Sequence, residues 1–511
     1  MTQMNKIEKW TRFELELQGP SSGNPFLDVD LSAEFRCADE MLKVQGFYDG
    51  NGTYRIRCMP TKEGTWTYTT KSNASELDGK TGSFTCTPAA ADNHGPVYVH
   101  DTFHFAYADG TSYYPFGTTC YAWTHQGDAM EEQTLATLKE ASFNKIRMCV
   151  FPKHYPFNRN EPVYYPYERD ADGNSDFTRF NPEFWHHFEK RLDDLLELGI
   201  EADIIIWHPY DRWGYSTMDE ESDIRYLRYL IARIGSFRHV WWSLANEYDF
   251  LLKVKPMELW DRFIEILHEE DPYGHLRSIH NGDVTMNYDH TKPGITHVCI
   301  QNAAIRNVVE WREQYGKPIV NDELEYEGNV PYPWGAISAE EEVHRFWIMV
   351  ANGGYAGHGE TYMDEKDELW WGKGGVLRGE SWKRIGFLRK ILEDGPAGGL
   401  TPQRGSEQSI FPGRMGRYFN VKFAGGLNGD YHLIYLGDYQ HKILIVPLEN
   451  DDYQIDAIDT WDMTISPVTA KKIEGDETYL YDMPQGENAP NNRGYALELP
   501  DKPHLALRFR K

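Results

Sequence analysis

Charged and apolar residues alternate with period two through residues 6–88. KWTRFELELQ shows the alternation, and FRCADEMLKVQGFYDGNGTYRIRCMP reads as two strands about the turn Asp49-Gly50-Asn51-Gly52. TWTYTT and SFTCTP follow as further short strands, a spacing that predicts a β-sandwich. The Gly-Pro of AAADNHGPVYVH closes this module. The period then changes. PFGTTCYAW, FNKIRMCVF, EADIIIWHPY, HVWWSLANEY, LRSIHNG, ITHVCIQ, PIVNDELEYEG and GGYAGHGETYMD are apolar runs, each followed by a helical stretch or a long loop. One helix, NPEFWHHFEKRLDDLLELG, stops at Gly199 as a left-handed C-terminal cap requires. Repeated β-then-α units imply parallel strands with right-handed crossovers, and eight of them over about 280 residues predict a closed (β/α)8 TIM barrel. A doubly wound open sheet is the rival, but the glycine-rich turn of a dinucleotide site is absent. Beyond about residue 400, YHLIYLGDY, KILIVPL, YQIDAIDTW, YALELP and HLALRFR return to short strands. The expected fold class is α/β, divided into a β-sandwich over 1–92, a barrel over 93–398 and a second β-sandwich over 399–511.

Composition narrows the function. The 511 residues carry 52 basic and 79 acidic side chains, a formal charge of −27. Such a surface repels phosphate backbones, so no nucleic-acid partner is expected. No apolar run reaches the roughly 18 residues of a membrane span, so no membrane partner is expected either. Self-association stays open. The chain holds 16 Trp, 32 Tyr and 24 Phe, which serve a core or offer flat faces to sugar rings. Six cysteines at 37, 58, 86, 120, 149 and 299 form no C-x-x-C pair, and no Cys/His spacing reads as a zinc site. The opening MTQMNKIEKW shows no secretory leader, and the expectation is a reduced, cytoplasmic protein.

Barrel sites lie at the C-terminal ends of the strands. The polar residues there are Trp123 and His125, Arg147, then His208, Tyr210 and Asp211, then Asn246 and Glu247. His280 and Asn281, Gln301, Asp322 with Glu323 and Glu325, and His358 with Glu360 complete the circuit. Two apolar strands, VWWSLANE and PIVNDE, end abruptly in acids. Strands four and seven face each other across the mouth. A carboxyl pair about 5–5.5 Å apart suits retaining glycoside hydrolysis, in which one acid protonates the leaving oxygen and the other attacks the anomeric carbon. Arg147 is placed to keep the nucleophile ionised, and Asn246 to bond the neighbouring sugar hydroxyl. On strand seven, alternation gives Glu325 the parity of Glu323 and turns Asp322 the other way, which leaves Glu323, Glu325 and Glu360 as competing nucleophiles. Trp123, Tyr210 and Trp371 are candidate sugar platforms. Histidines 125, 208, 280 and 358 mimic a metal site, but the H-x-H of metal-dependent barrel hydrolases is missing, so no metal or other cofactor is expected.

LANE on strand four, the strand-seven glutamate and Arg147 in NKIRM resemble clan A of the glycoside hydrolases, the retaining (β/α)8 enzymes. GNPFLDVDLSAEF, GFYDGNGTYRIRCMPTKEGTW and YYPFGTTCYAW resemble an uncharacterised sandwich domain that precedes such barrels in bacterial carbohydrate-degrading proteins, and the C-terminal strands resemble the sandwich that follows them. The resemblance implies Glu247 as acid/base and Glu323 as nucleophile. It implies a glycoside or small oligosaccharide as substrate; the strand-end residues Trp123, His125, Arg147, His208, Tyr210, Asn246, His280, Gln301, His358 and Glu360 are the expected contacts. Two positions depart from the clan. Many members carry a tyrosine on strand six that bonds the nucleophile, where this chain has Gln301. Many end strand eight in tryptophan, where this chain has His358 and Glu360. β-Galactosides, β-xylosides, β-glucosides, apiosides and α-L-arabinofuranosides therefore stay open. A non-catalytic carbohydrate-binding protein is the alternative from another class, and a metal-dependent barrel hydrolase is a third.

Overall fold

The structure is a computed structural model that describes residues 5–403, 424–446, 452–473 and 494–511. Eight parallel strands form its centre: β1 (Phe116–Thr119), β2 (Lys145–Cys149), β3 (Glu201–Trp207), β4 (Val240–Ala245), β5 (Arg277–Ser278), β6 (Val298–Gln301), β7 (Ile319–Glu323) and β8 (Tyr355–His358). They pair in the order β5-β4-β3-β2-β1-β8-β7-β6. Every residue of β2, β3 and β4 is buried, as expected of strands covered on both faces. The β5–β6 seam has no ladder; one backbone bond, from the Thr296 amide to the Arg277 carbonyl at 2.9 Å, and side chains close it. Thr296 Oγ1 accepts from the Arg277 amide at 2.7 Å, and Asn281 Oδ1 accepts from the Gln301 amide at 3.2 Å.

Helices α1 (Asp128–Glu140), α2 (Pro182–Glu197), α3 (Glu220–Ile234), α4 (Met257–Glu270), α5 (Val308–Tyr315), α6 (Ala339–Ala351) and α7 (Ser381–Glu393) surround the strands. Asn181, Asp219 and Ser338 cap α2, α3 and α6 through their side chains. Gly199 follows α2 at φ +68°, the left-handed conformation its sequence position predicts. Inside the barrel, Lys145 Nζ lies 2.7 Å from Asp203 and 2.9 Å from Asp322. Below that ion cluster, Phe105, from a three-stranded sheet of residues 97–113, packs on Trp241, His297 and Tyr355 and closes the N-terminal end. All entry to the barrel is thus from the other end.

The N-terminal strands form one seven-stranded ladder folded over on itself, so Phe13 near one end stacks on Phe84 near the other at 4.3 Å. Phe35, Trp66 and Phe84 are fully buried in that core. The domain docks on the barrel through charge. Arg57 and Arg233 both pair with Glu189 of α2, and Arg233 also reaches Asp49. The C-terminal strands form sheets of six and three among the described residues. Tyr435 from the larger sheet stacks on Trp347 of α6 at 5.5 Å. Pro447 and Leu448 of the KILIVPL run lie outside the described residues. The barrel between two β-domains is the architecture that the alternation and the β-then-α repeats predict.

Candidate active site

Glu247 lies two residues past β4 and has left-handed backbone, φ 57° and ψ 53°. That conformation costs a non-glycine residue about 1–2 kcal/mol. It folds the side chain against Gly282 beyond β5, where an added Cβ would meet Glu247 Cγ at 2.9 Å. Only glycine leaves that room.

Glu323 ends β7 at a bulge. Ile300 pairs with Asn321, but the next pairing joins Gln301 to Glu323, so one residue is skipped. The bulge cancels the alternation. Asp322 enters the barrel to meet Lys145 and the Cys299 thiol, and Glu323 also points inward at the mouth. The expectation that Asp322 faces away from Glu323 is therefore corrected. Glu325 leaves the site altogether and pairs with Arg345 of α6 at 2.7 Å.

Glu323 is the hub of a polar cluster. Arg147 Nη1 donates to its Oε1 at 3.0 Å and to the Tyr121 phenol at 3.0 Å. Tyr121 donates to the same Oε1 and lies 3.1 Å from the Asn246 carboxamide. His280 Nε2 is 3.5 Å from that oxygen, and Gln301 bonds the Gly282 carbonyl at 3.0 Å. Asn246 adjoins Glu247, and the Tyr210 phenol hydrogen-bonds Glu247. Strands two, four, five, six and seven thus converge on one place, and strand one reaches it through Tyr121.

Burial is the largest influence on both glutamates and raises both. It drives Glu323 to about 8, against a hydrogen bond from Tyr326. A rise of that size sets about 5 kcal/mol against the charge. A guanidinium in contact opposes it by about 4 kcal/mol even at an effective dielectric near 20, and a hydrogen bond to a charged oxygen adds about 1.5–3. Arg147 and Tyr121 therefore favour the charged form of Glu323. Glu247 has no cation within ion-pair distance among the described residues, and its buried Oε2 has no hydrogen-bond partner there. Lys153, Tyr210 and Arg147 only partly oppose its burial. Contact with Arg147 and Tyr121 favours the charged form of Glu323, whereas Glu247 has no contacting cation among the described residues to do the same.

Other expected contacts lie elsewhere. Trp123 is in the core with its indole on Met148, and His125 stacks on Phe184 of α2. Gly357 of β8 faces the barrel interior, so His358 faces out, stacked on Phe143. Glu360 accepts the backbone amides of Arg378 and Gly379. His208 is held by the Phe151 carbonyl at 3.2 Å and contacts neither glutamate. The contacts of Trp123, His125, His358 and Glu360 thus turn them away from the Glu323 cluster, whereas His208 lies beside Tyr210: a polar residue at a strand end does not reveal which way it turns. The four histidines do not converge on a common point.

Sequence reasoning missed Tyr121, Tyr326 and Lys153. Tyr121 sits in CYAW, the segment from which Trp123 was chosen. It and Tyr326 supply phenols to Glu323 where strand six carries Gln301. Trp371 does reach the mouth, packed with Tyr121, Tyr155 and Tyr326.

Residues 100–383 match the apiosidase-like catalytic domain, which is more than half of the chain. This chain belongs to the apiosidase-like family. It is a glycosidase, an enzyme acting on glycosidic bonds. Residues 6–73 and 420–510 match two domains of unknown function, DUF5060 and DUF5605. A solved Bacteroides vulgatus protein, described as a candidate glycoside hydrolase, is 39% identical over 99% of both chains, with a TM-score of 0.87. A family 5 glycoside hydrolase of the same organism shares the fold at 14% identity and a TM-score of 0.59, over 81% of this chain and 93% of its own. No curated protein matches the chain.

Proposed function

We propose that the apiosidase-like barrel hydrolyses O-glycosidic bonds of small glycosides or oligosaccharides with retention of configuration. The observation that carries this reading is the unequal environment of two buried glutamates at the open end of the barrel: Glu323 in contact with Arg147 and Tyr121, and Glu247 with no cation in contact among the described residues. Glu323 attacks the anomeric carbon while Glu247 protonates the departing oxygen. A covalent glycosyl-enzyme results. Glu247, now ionised, takes a proton from water, which attacks the same carbon and frees Glu323. The shared Glu323 contacts of Arg147, Tyr121 and His280 allow its charge to fall and return without rearrangement of the site. Asn246 and Gln301 are placed to bond sugar hydroxyls.

The family description favours an apioside among the sugars considered. Among the described residues no helix is long and apolar enough to cross a membrane, and all six cysteines are unpaired and buried, which supports a reducing compartment such as the cytoplasm. A panel of 4-nitrophenyl glycosides, apiosides included, tests the reading with E247Q and E323Q as controls. The expected result is turnover of at least one member with retained anomeric configuration, lost in E323Q. Turnover that survives in both variants overturns Glu247 and Glu323 as the reacting pair.

A further inference from the structure

Among the described residues four lysines are buried: Lys145, Lys153, Lys255 and Lys373. Three are paired with acids. Lys145 meets Asp203 and Asp322, Lys255 meets Asp223, and Lys373 meets Asp367. Lys153 is different. It is 1% exposed, four residues past β2 at the open end of the barrel. Among the described residues its ammonium has no carboxylate, carbonyl or hydroxyl partner. Its contacts are ring faces: Tyr121 at 3.3 Å, Tyr210 at 4.4 Å, Tyr155 at 4.7 Å and Trp371 at 5.5 Å from the ring centroids.

A buried charge is ordinarily paired, because desolvation costs several kcal/mol per ion. Cation–π contacts offset only part of this. They leave the three N–H donors without an oxygen acceptor. One further donor lines the same wall: the Tyr155 hydroxyl is buried and has no hydrogen-bond partner among the described residues, and the Trp371 indole N–H beside it meets the Tyr326 phenol. The cage shares Tyr121 with Glu323 and Tyr210 with Glu247. The donors therefore stand beside the carboxyl pair, in a wall that otherwise offers only apolar ring faces.

We propose that Lys153 is a substrate-recognition residue of this glycosidase, donating to oxygen acceptors of the sugar held against the Tyr155–Trp371 wall. This rests on Glu247 and Glu323 being the reacting pair. The acceptor chemistry is that of a sugar hydroxyl or of a uronic-acid carboxylate. Burial also pulls the Lys153 ammonium down to about 8, with the Cys149 and Glu247 side chains acting upward and Arg147 downward. In return, the ammonium draws Glu247 downward, alongside Tyr210 and Arg147 and against Asp249.

The probe is the 4-nitrophenyl glycoside that wild type turns over fastest, with its uronic-acid counterpart as a second arm. K153M keeps the stem and removes the charge. The expected result is a folded variant whose kcat/KM falls about 10- to 100-fold, mainly through KM, as for loss of a charged hydrogen bond. Its basic limb moves to higher pH, since Glu247 loses a cation. A larger loss on the uronic acid identifies a carboxylate acceptor, and an equal loss identifies a hydroxyl. A folded K153M with kcat/KM within twofold of wild type and an unmoved basic limb overturns the proposal. A second readout needs no variant: wild-type KM rises as the pH passes about 8 and the ammonium loses its proton. A flat KM from pH 7 to about 9.5 overturns it independently. E247Q and E323Q are measured on the same probe, so failure of the carboxyl pair is distinguished from failure of the lysine.

Discussion

The Tyr121 phenol donates its proton to the Glu323 carboxylate across 202 positions of sequence. That bond joins the end of the first barrel strand to the end of the seventh. It stabilises the ionised carboxylate, so Y121F is expected to lower kcat/KM about 10- to 100-fold. The acid limb of the pH profile should move upward, because Glu323 then gains its proton more readily. Steady-state kinetics across pH 4–8 check both. An unmoved acid limb would show that the phenol does not act on Glu323's charge.

Arg147 carries a second expectation. It is fully buried and contacts Glu323 and Tyr121 through one nitrogen. Lysine keeps the charge, but its ammonium sits on a flexible stem and lacks the fixed position of the Arg147 Nη1 that meets both partners. R147K should retain part of the activity with a raised acid limb. R147M should lose nearly all activity and about 3–5 kcal/mol of stability, because the buried carboxylate is left uncompensated. Parallel kinetic and urea-unfolding measurements separate the two effects.

Gly282 is a test of geometry alone. An added methyl meets Glu247 Cγ at 2.9 Å and the Phe250 ring at 2.7 Å. Phe250 is 55% exposed and can swing away, whereas Glu247 is buried and must shift. Displacing a reacting group by about 1 Å costs roughly 100-fold in rate. G282A should therefore depress kcat strongly with only a small change in Tm. Wild-type kcat in a folded G282A would mean that Glu247 does not need its observed position.

Acid stability should follow Glu189. Burial works upward on this carboxyl, but Arg233 and Arg57 outweigh it and hold it at about 2. A carboxyl depressed in the folded state contributes its full stability above its unfolded value, about 4.3, and loses it as pH falls toward the folded one. Wild-type Tm should therefore drop between about pH 4.5 and 2. E189Q should be less stable at pH 7 and flatter through that acid window. Calorimetric Tm against pH decides, and parallel curves for the two proteins would refute the assignment.

Much of the site was legible in the sequence because barrel topology turns strand order into position. Once VWWSLA and PIVN are read as the fourth and seventh strands, the residues that end them must rise at one rim. Glu247, Asn246, Glu323 and Arg147 follow from that rule. The inward turn of Asp322 was not legible, since a single skipped residue reverses which side chains face inward. That bulge depends on how β6 and β7 pair, which neither strand reveals alone. Trp123, His125 and His358 show the same weakness: rank along a strand was known, rotation about it was not.

The sequence by itself determined the layered plan, the barrel order and the two acids on facing strands, because hydrophobic periodicity and strand parity are local properties of the chain. Only the tertiary structure decided which acid meets a cation and which polar neighbours matter. Those depend on Arg147, Tyr121 and Lys153 meeting residues far away in sequence inside a buried space. Burial and approach distance, the quantities that govern a charge in a low dielectric, exist only once the chain has closed on itself.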